Sequence, residues 1–179
     1  MTIKRITIDS IFLALLIVSA YIAIPISGIS LTIQVLVVLL LALILPFVDS
    51  QLIIFIYILM GLIGIPVFSN FTAGISKIFT PSFGFLLAFL FVPLIIKSLN
   101  KINIKKTFVK NIVICSITLI FIYIIALIYL IILSKFYQID VINFIVFSLL
   151  PLIPFDIIKV IIVCSIKEKL KEGMFLWIL

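Results

Sequence analysis

Apolar runs close to a membrane thickness in length, separated by short stretches of proline, glycine and polar residues, set the pattern of this chain. Six runs can be marked: about Thr7–Ile26, Leu31–Phe47, Gln51–Val67, Phe83–Leu99, Phe108–Leu133 and Val146–Ile166. A hydrocarbon core about 30 Å thick takes about 20 helical residues, so each run reads as one spanning helix. Leu31–Phe47 is short for a span and is expected to lie obliquely or to enter only in part. The breaks carry sensible punctuation: Pro25 with Gly28, Pro46 with Asp49, Gly64 with Pro66, and Pro81 with Gly84. Asn100–Lys110 is the one frankly polar connection. No internal repeat is visible, and the two halves differ too much in charge for an inverted duplication.

Composition agrees with the pattern. The chain is 66% hydrophobic and 11% charged, with a mean hydropathy of +1.61. A soluble domain needs far more polar surface than that. At 179 residues the spans and their loops use the whole length, so residues 1–179 are read as a single transmembrane domain. No small-residue cleavage pattern follows Ile11–Ile26, which is therefore expected to be the first helix of the mature protein.

The basic residues fix a direction. Lys4 and Arg5 precede the first run, Lys97, Lys101, Lys105, Lys106 and Lys110 surround the polar connection, and Lys167, Lys169 and Lys171 follow the last run. With six spans and an inside N-terminus, all three clusters fall on the cytoplasmic side; five or seven spans would strand one of them. The expected fold is thus an all-α integral membrane protein of six transmembrane helices in the cell membrane, with both termini cytoplasmic. The net charge of +7 reads as a topology signal. Nucleic-acid binding is the weaker reading, since no soluble fold or interleaved aromatics present the lysines.

Chemistry-bearing residues are few. Histidine is absent, and no carboxylate cluster has metal-ligand spacing, so neither a metal nor a cofactor is expected. Cys115 and Cys164 lie among apolar neighbours and read as packing residues. Asp156 and Lys159 stand three apart within the apolar segment PLIPFDIIKVIIVCSI. Such spacing places both on one helix face. Ionisable groups inside a membrane cost a few kcal/mol each and usually face a partner, a cavity or a ligand. The competing reading is an ion pair that merely lets the helix enter the bundle. The long outer loop Ile63–Phe85, rich in small and hydroxyl residues, would approach the same end, because irregular backbone at membrane depth is tolerated where it lines protein or a wet cavity. Thr32 and Gln34 join it from the first loop.

At these residues the chain resembles the BioY family, the biotin-specific substrate-binding (S) components of energy-coupling factor transporters. SIFLALLIVSAYIAIPI is similar to the family's first helix, and ISLTIQVLVVLLLALIL to its Pro-x-Thr-Leu-Gln segment and the helix after it. GLIGIPVFSNFTAG with TPSFGFLLAF resembles the Gly-x-x-Gly-x-Pro-Val-Phe turn and the Gly-Pro-Thr-Gly-Gly-Tyr loop. PLIPFDIIK carries Pro154-x-Asp156-x-x-Lys159, similar to the family's Pro-x-Asp-x-x-Lys motif. Thr80, Ser82 and Phe83 depart from the usual Gly, Thr and Gly around Pro81.

The resemblance implies capture of biotin, whose ureido ring offers two N–H donors and a carbonyl. Asp156 would accept from ureido N–H, and Lys159 would donate to the carbonyl while neutralising Asp156; ligands without those groups leave buried charges unpaired. Asn70, which both donates and accepts, suits the ureido group, with turn formation beside Gly74 as the competing role. Phe71 and Phe85, with Phe68 and Phe83, are candidate walls for the apolar ring. Thr32 and Gln34 are expected to close the site, helix capping being the alternative. Lys77 is a candidate for the valerate carboxylate. Tyr21 and Tyr57 read as interfacial residues.

None of the six glycines opens a phosphate-binding Gly-x-x-x-x-Gly-Lys-Ser/Thr loop, so ATP hydrolysis by that route is excluded. The resemblance implies a transmembrane coupling subunit and two ATP-binding cassette ATPases as partners, docked through the small-residue seam Ser10-x-x-x-Ala14. Packing within the bundle is the rival role for that seam. An S component for another vitamin, or a structural or catalytic membrane protein, are the other functional readings. The lack of histidine, of a second buried carboxylate partner and of nucleophile–base spacing counts against an enzyme.

Overall fold

In the computed structural model, residues 3–26 and 29–173 are described; Gly28 lies outside them, as does the side chain of Lys171. They are mostly helical. The order is α1 (Ile3–Tyr21), β1 (Ala23–Ile26), β2 (Ile29–Thr32), α2 (Gln34–Ile44), α3 (Phe47–Leu62), α4 (Phe83–Leu99), α5 (Thr107–Tyr137), α6 (Val141–Phe144) and α7 (Leu152–Gly173). A π-helical turn, Ile145–Leu149, joins α6 to α7, and two 3-10 turns, Ser69–Phe71 and Ile75–Phe79, lie between α3 and α4.

Two expectations need correction. The bundle is not purely helical: the end of the first apolar run leaves α1 and forms an antiparallel hairpin, pairing Ala23 with Thr32 and Ile26 with Ile29. The alternating β-branched residues there favour strand, and Pro25 is tolerated in a two-stranded ribbon because its missing N–H can face outward. The last run is also not one straight helix. Val141–Leu149 and Leu152–Leu170 meet at a 45° bend, where Pro151 cannot supply the N–H that would continue the ladder. Six apolar runs thus become seven α-helices among the described residues. Fourth-run bounds coincide with α4.

The short second element has a physical explanation. α2 is buried on nearly every side, with Val37, Val38, Leu39 and Leu41 all at most 2% exposed. A helix apolar all round belongs in the middle of a bundle. It ends at Leu45, whose extended backbone (φ −85°, ψ 156°) is what a following proline imposes. Ser50 then donates its hydroxyl to the carbonyl of Pro46 at 3.0 Å. Helices α4 and α5 approach so closely that a Cβ on Gly84 would lie 2.9 Å from Tyr129 Cβ and 3.1 Å from Ala126 Cα. Small residues permit that approach.

Polar contacts divide the bundle into two ends. At one, Arg5 of α1 donates twice to Asp49 of α3, at 2.6 and 2.5 Å. Lys97 sits 4.4 Å from the Phe47 ring centre, and Lys167 of α7 donates to Asn111 of α5 at 3.3 Å. At the other end lie the hairpin, the α3–α4 loop and the start of α7. The flanks between are apolar: Ile120, Ile124, Ile128 and Ile131 on α5 and Ile157, Ile158, Ile161 and Ile162 on α7 are all exposed. Among the described residues α5 alone is long and apolar enough to cross a membrane by itself, and the bent α6–α7 run qualifies as a pair.

Candidate substrate-binding site

Asp156 and Lys159 occupy the second turn of α7 and project into the bundle, 2% and 9% exposed. Lys159 Nζ donates to Asp156 Oδ1 at 2.5 Å and to the backbone carbonyl of Thr32 at 2.7 Å. The second contact ties α7 to the hairpin. Asp156 Oδ2 accepts from the Tyr123 hydroxyl of α5 at 2.6 Å. Both charges are thus partnered, and the pair retains capacity. An ammonium has three donors and a carboxylate about four acceptor sites, so one donor and about two acceptor sites remain for a ligand.

The pair floors a cavity that is partly open to the exterior. Its walls are Val35, Phe68, Phe83, Phe85, Leu86 and Phe89. Its rim is hydroxylic: Ser30 from β2, then Ser69, Thr72, Thr80 and Ser82 from the α3–α4 loop, with Lys77 beside them. Thr80 Oγ1 donates to the Lys77 carbonyl at 2.7 Å and lies 3.1 Å from Ser82 Oγ. A cavity with an ionic floor, aromatic walls and a polar rim carrying a cation suits a ligand with a polar head, an apolar body and an anionic tail.

Gln34 lies behind the hairpin at the start of α2. Its Nε2 donates to Tyr57 OH at 2.7 Å, and that hydroxyl donates to the Val67 carbonyl at 3.1 Å. Thr32 Oγ1 donates to Gln34 Oε1 at 3.3 Å. The relay fastens hairpin, α2, α3 and the α3–α4 loop together around one side of the cavity.

The sequence model of the BioY family matches residues 1–174. The chain belongs to the BioY family. Over 110 residues it is 40% identical to the biotin transporter BioY2 of Lactococcus lactis subsp. cremoris, covering 60% of each chain. Over 86 residues it is 40% identical to the probable biotin transporter BioY of Pyrococcus horikoshii, covering 48% of this chain and 53% of that one. The matches span only about half to three fifths of those relatives' length. Its fold is similar to a crystal structure of the S-component for biotin from an ECF-type ABC transporter, with a TM-score of 0.81 and 25% identity over 97% of this chain and 95% of that chain.

In this BioY-family chain the structure brings Asp156, Lys159, Thr32, Gln34 and Phe85 together on one cavity. Asn70 and Phe71 stand outside it. Asn70 adopts the left-handed conformation (φ 58°, ψ 33°) and Phe71 follows it with φ 56°, two consecutive residues of the kind that build tight hairpin turns. Asn tolerates that backbone better than most residues, which suits it to this turn. Its amide donates to Ser30 Oγ at 2.9 Å, one contact behind the lining. Phe71 is 65% exposed and packs on the Tyr21 ring at 4.2 Å between centroids, which fastens the loop to α1. Tyr57 is fully buried rather than interfacial. Ser10 and Ala14 lie on an exposed face of α1 that continues through Val18.

Sequence reasoning missed Tyr123. A tyrosine inside a long apolar helix was the available signal, because a buried phenol needs a partner for its hydroxyl.

Proposed function

We propose that this chain captures biotin in the cavity floored by Asp156 and Lys159, as the substrate-specific subunit of an ECF-type ABC transporter. The observation that carries this reading is the ion pair with its spare donor and acceptors opening on an aromatic-walled cavity. One ureido N–H meets a free acceptor site of Asp156, and the ureido carbonyl takes the third proton of Lys159. Phe85, Phe83 and Phe68 enclose the sulfur-containing ring. Lys77 and the rim hydroxyls receive the valerate carboxylate. The biotin names of the relatives and of the structural neighbour support the same ligand.

The bundle is proposed to cross the cell membrane six times with both termini in the cytoplasm, α6 and α7 together forming the last, bent span. Support comes from the gathering of Arg5, Lys97 and Lys167 at one end of the bundle, as the positive-inside rule requires, and from the apolar flanks of α5 and α7, which suit lipid. The cavity then opens toward the outside. Concentrative uptake needs energy that this chain does not generate, so a transmembrane coupling subunit and two ABC ATPases are its proposed partners, docked on the exposed Ser10/Ala14 face. No catalytic role is assigned.

Uptake of labelled biotin by cells lacking their own biotin transporter tests the reading. Uptake should require both this chain and an energising module, and should fail with Asp156→Asn. Uptake that survives Asp156→Asn undiminished would contradict the site.

A further inference from the structure

The polar floor contains a third member that does not line the cavity. Tyr123 sits midway along α5, and its hydroxyl donates to Asp156 Oδ2 at 2.6 Å across the α5–α7 interface. Its ring is held edge-on against Phe85, with centroids 5.7 Å apart and planes at 85°. Phe85 is a cavity wall, so the ring cannot turn without disturbing the site. The direction of the hydroxyl is therefore set by packing.

This bond matters for the geometry of the carboxylate. The terminal torsion of an aspartate is broad and roughly two-fold. Lys159 alone, gripping Oδ1 at 2.5 Å, would leave Oδ2 free to swing. With Tyr123 on Oδ2, each oxygen is held by one donor from the protein, and the plane is fixed. The unused acceptor sites, about one per oxygen, then point in fixed directions. A rigid acceptor rewards a ligand whose N–H lies along its direction and penalises one that leaves it bare.

We infer that Tyr123 is a positioning residue that sets the site's selectivity for a ureido N–H donor by locking the Asp156 carboxylate. This rests on the biotin reading of the same cavity. Without the hydroxyl, the carboxylate can rotate and recruit water, and the ligand's N–H matters less.

The test compares two ligands on the detergent-purified protein by calorimetry: biotin, and the biotin derivative methylated on the ureido nitrogen that faces Asp156. Tyr123→Phe removes one oxygen and keeps the ring. Loss of a hydrogen bond to a charged group should weaken biotin binding about tenfold. The methylated derivative, already short of one N–H, should lose much less, so the selectivity ratio should fall at least about threefold. In an Asp156→Asn background, Tyr123→Phe should leave the ratio unchanged. A purely structural role would lower the melting temperature and weaken both ligands equally, and an unaltered ratio in well-folded Tyr123→Phe overturns the inference. Should that variant not fold, 3-fluorotyrosine at position 123 supplies a more acidic hydroxyl in nearly the same shape; the ratio should move, and an unmoved ratio again overturns it. Absence of biotin binding by the wild-type protein would sink the underlying reading, a result distinct from wild-type binding with an unchanged ratio.

Discussion

Removing one member of the Asp156–Lys159 pair should cost more than removing both would suggest. Lys159→Met keeps the stem and deletes the ammonium. It strips a 2.5 Å bond from Asp156 and a 2.7 Å bond from the Thr32 carbonyl, leaving Tyr123 as the carboxylate's donor from the protein. Asp156→Asn leaves the Lys159 charge, 9% exposed, without a counter-charge. Breaking a buried pair on one side costs about 3–5 kcal/mol, whereas replacing both partners with neutral groups is often close to neutral. Each single variant should therefore melt well below wild type. The double variant should recover stability, its loss falling well below the sum of the two single losses. Binding follows another rule, because either change removes a ligand anchor. Each single substitution should weaken biotin by at least ~2 kcal/mol, or more than tenfold, and the double variant should not recover. Melting of the detergent-solubilised proteins beside calorimetric titration separates the two effects. Additive losses of stability within about 0.5 kcal/mol, together with wild-type affinity in the single variants, would refute both the pairing and the site.

Gly61→Ala should weaken ligand binding through Phe68, because a Cβ there would lie 2.1 Å from Phe68 Cζ and must push that ring within the cavity wall; unchanged affinity by calorimetry would place Phe68 outside the ligand's contact. Ala14→Trp should abolish co-purification with the coupling subunit and the ATPase pair, and uptake with it, while leaving biotin binding to the free subunit nearly intact, since Ala14 is exposed and close helix packing needs small side chains. If the tryptophan variant still assembles and transports, α1 is not the docking surface. Asn103→Cys should be unreactive toward a membrane-impermeant thiol reagent in intact cells, and labelling from outside would overturn the proposed orientation.

Much of the architecture was legible because its causes are local. Pro46 and Pro81 with Gly84 break the apolar pattern at or near the α2–α3 and loop–α4 boundaries, and α4 keeps its expected bounds. Strand pairing is a contact between separate stretches of chain, and the run ending at Ile26 is equally apolar as helix or strand, so the hairpin was not. Likewise the α6–α7 bend depends on which carbonyls find donors around Pro151. In the site, the i, i+3 spacing of Asp156 and Lys159 was enough to pair them. The Lys159 bond to the Thr32 carbonyl joins residues 127 positions apart, and nothing in either stretch announces it. Asn70 and Phe71 entered the ligand set by residue type; the structure places them in a left-handed turn beside the cavity lining, against Ser30 and Tyr21.

On the proposed reading, this chain by itself holds biotin between an ionic floor and a polar rim. Titrating the purified subunit, without coupling subunit or ATPases, with labelled biotin tests it most directly. The account predicts saturable binding of one biotin per chain, displaced by unlabelled biotin, not displaced by thiamine or riboflavin, and weakened more than tenfold by Asp156→Asn. Absence of saturable binding by folded protein, or displacement by the unrelated vitamins as readily as by biotin, would contradict it.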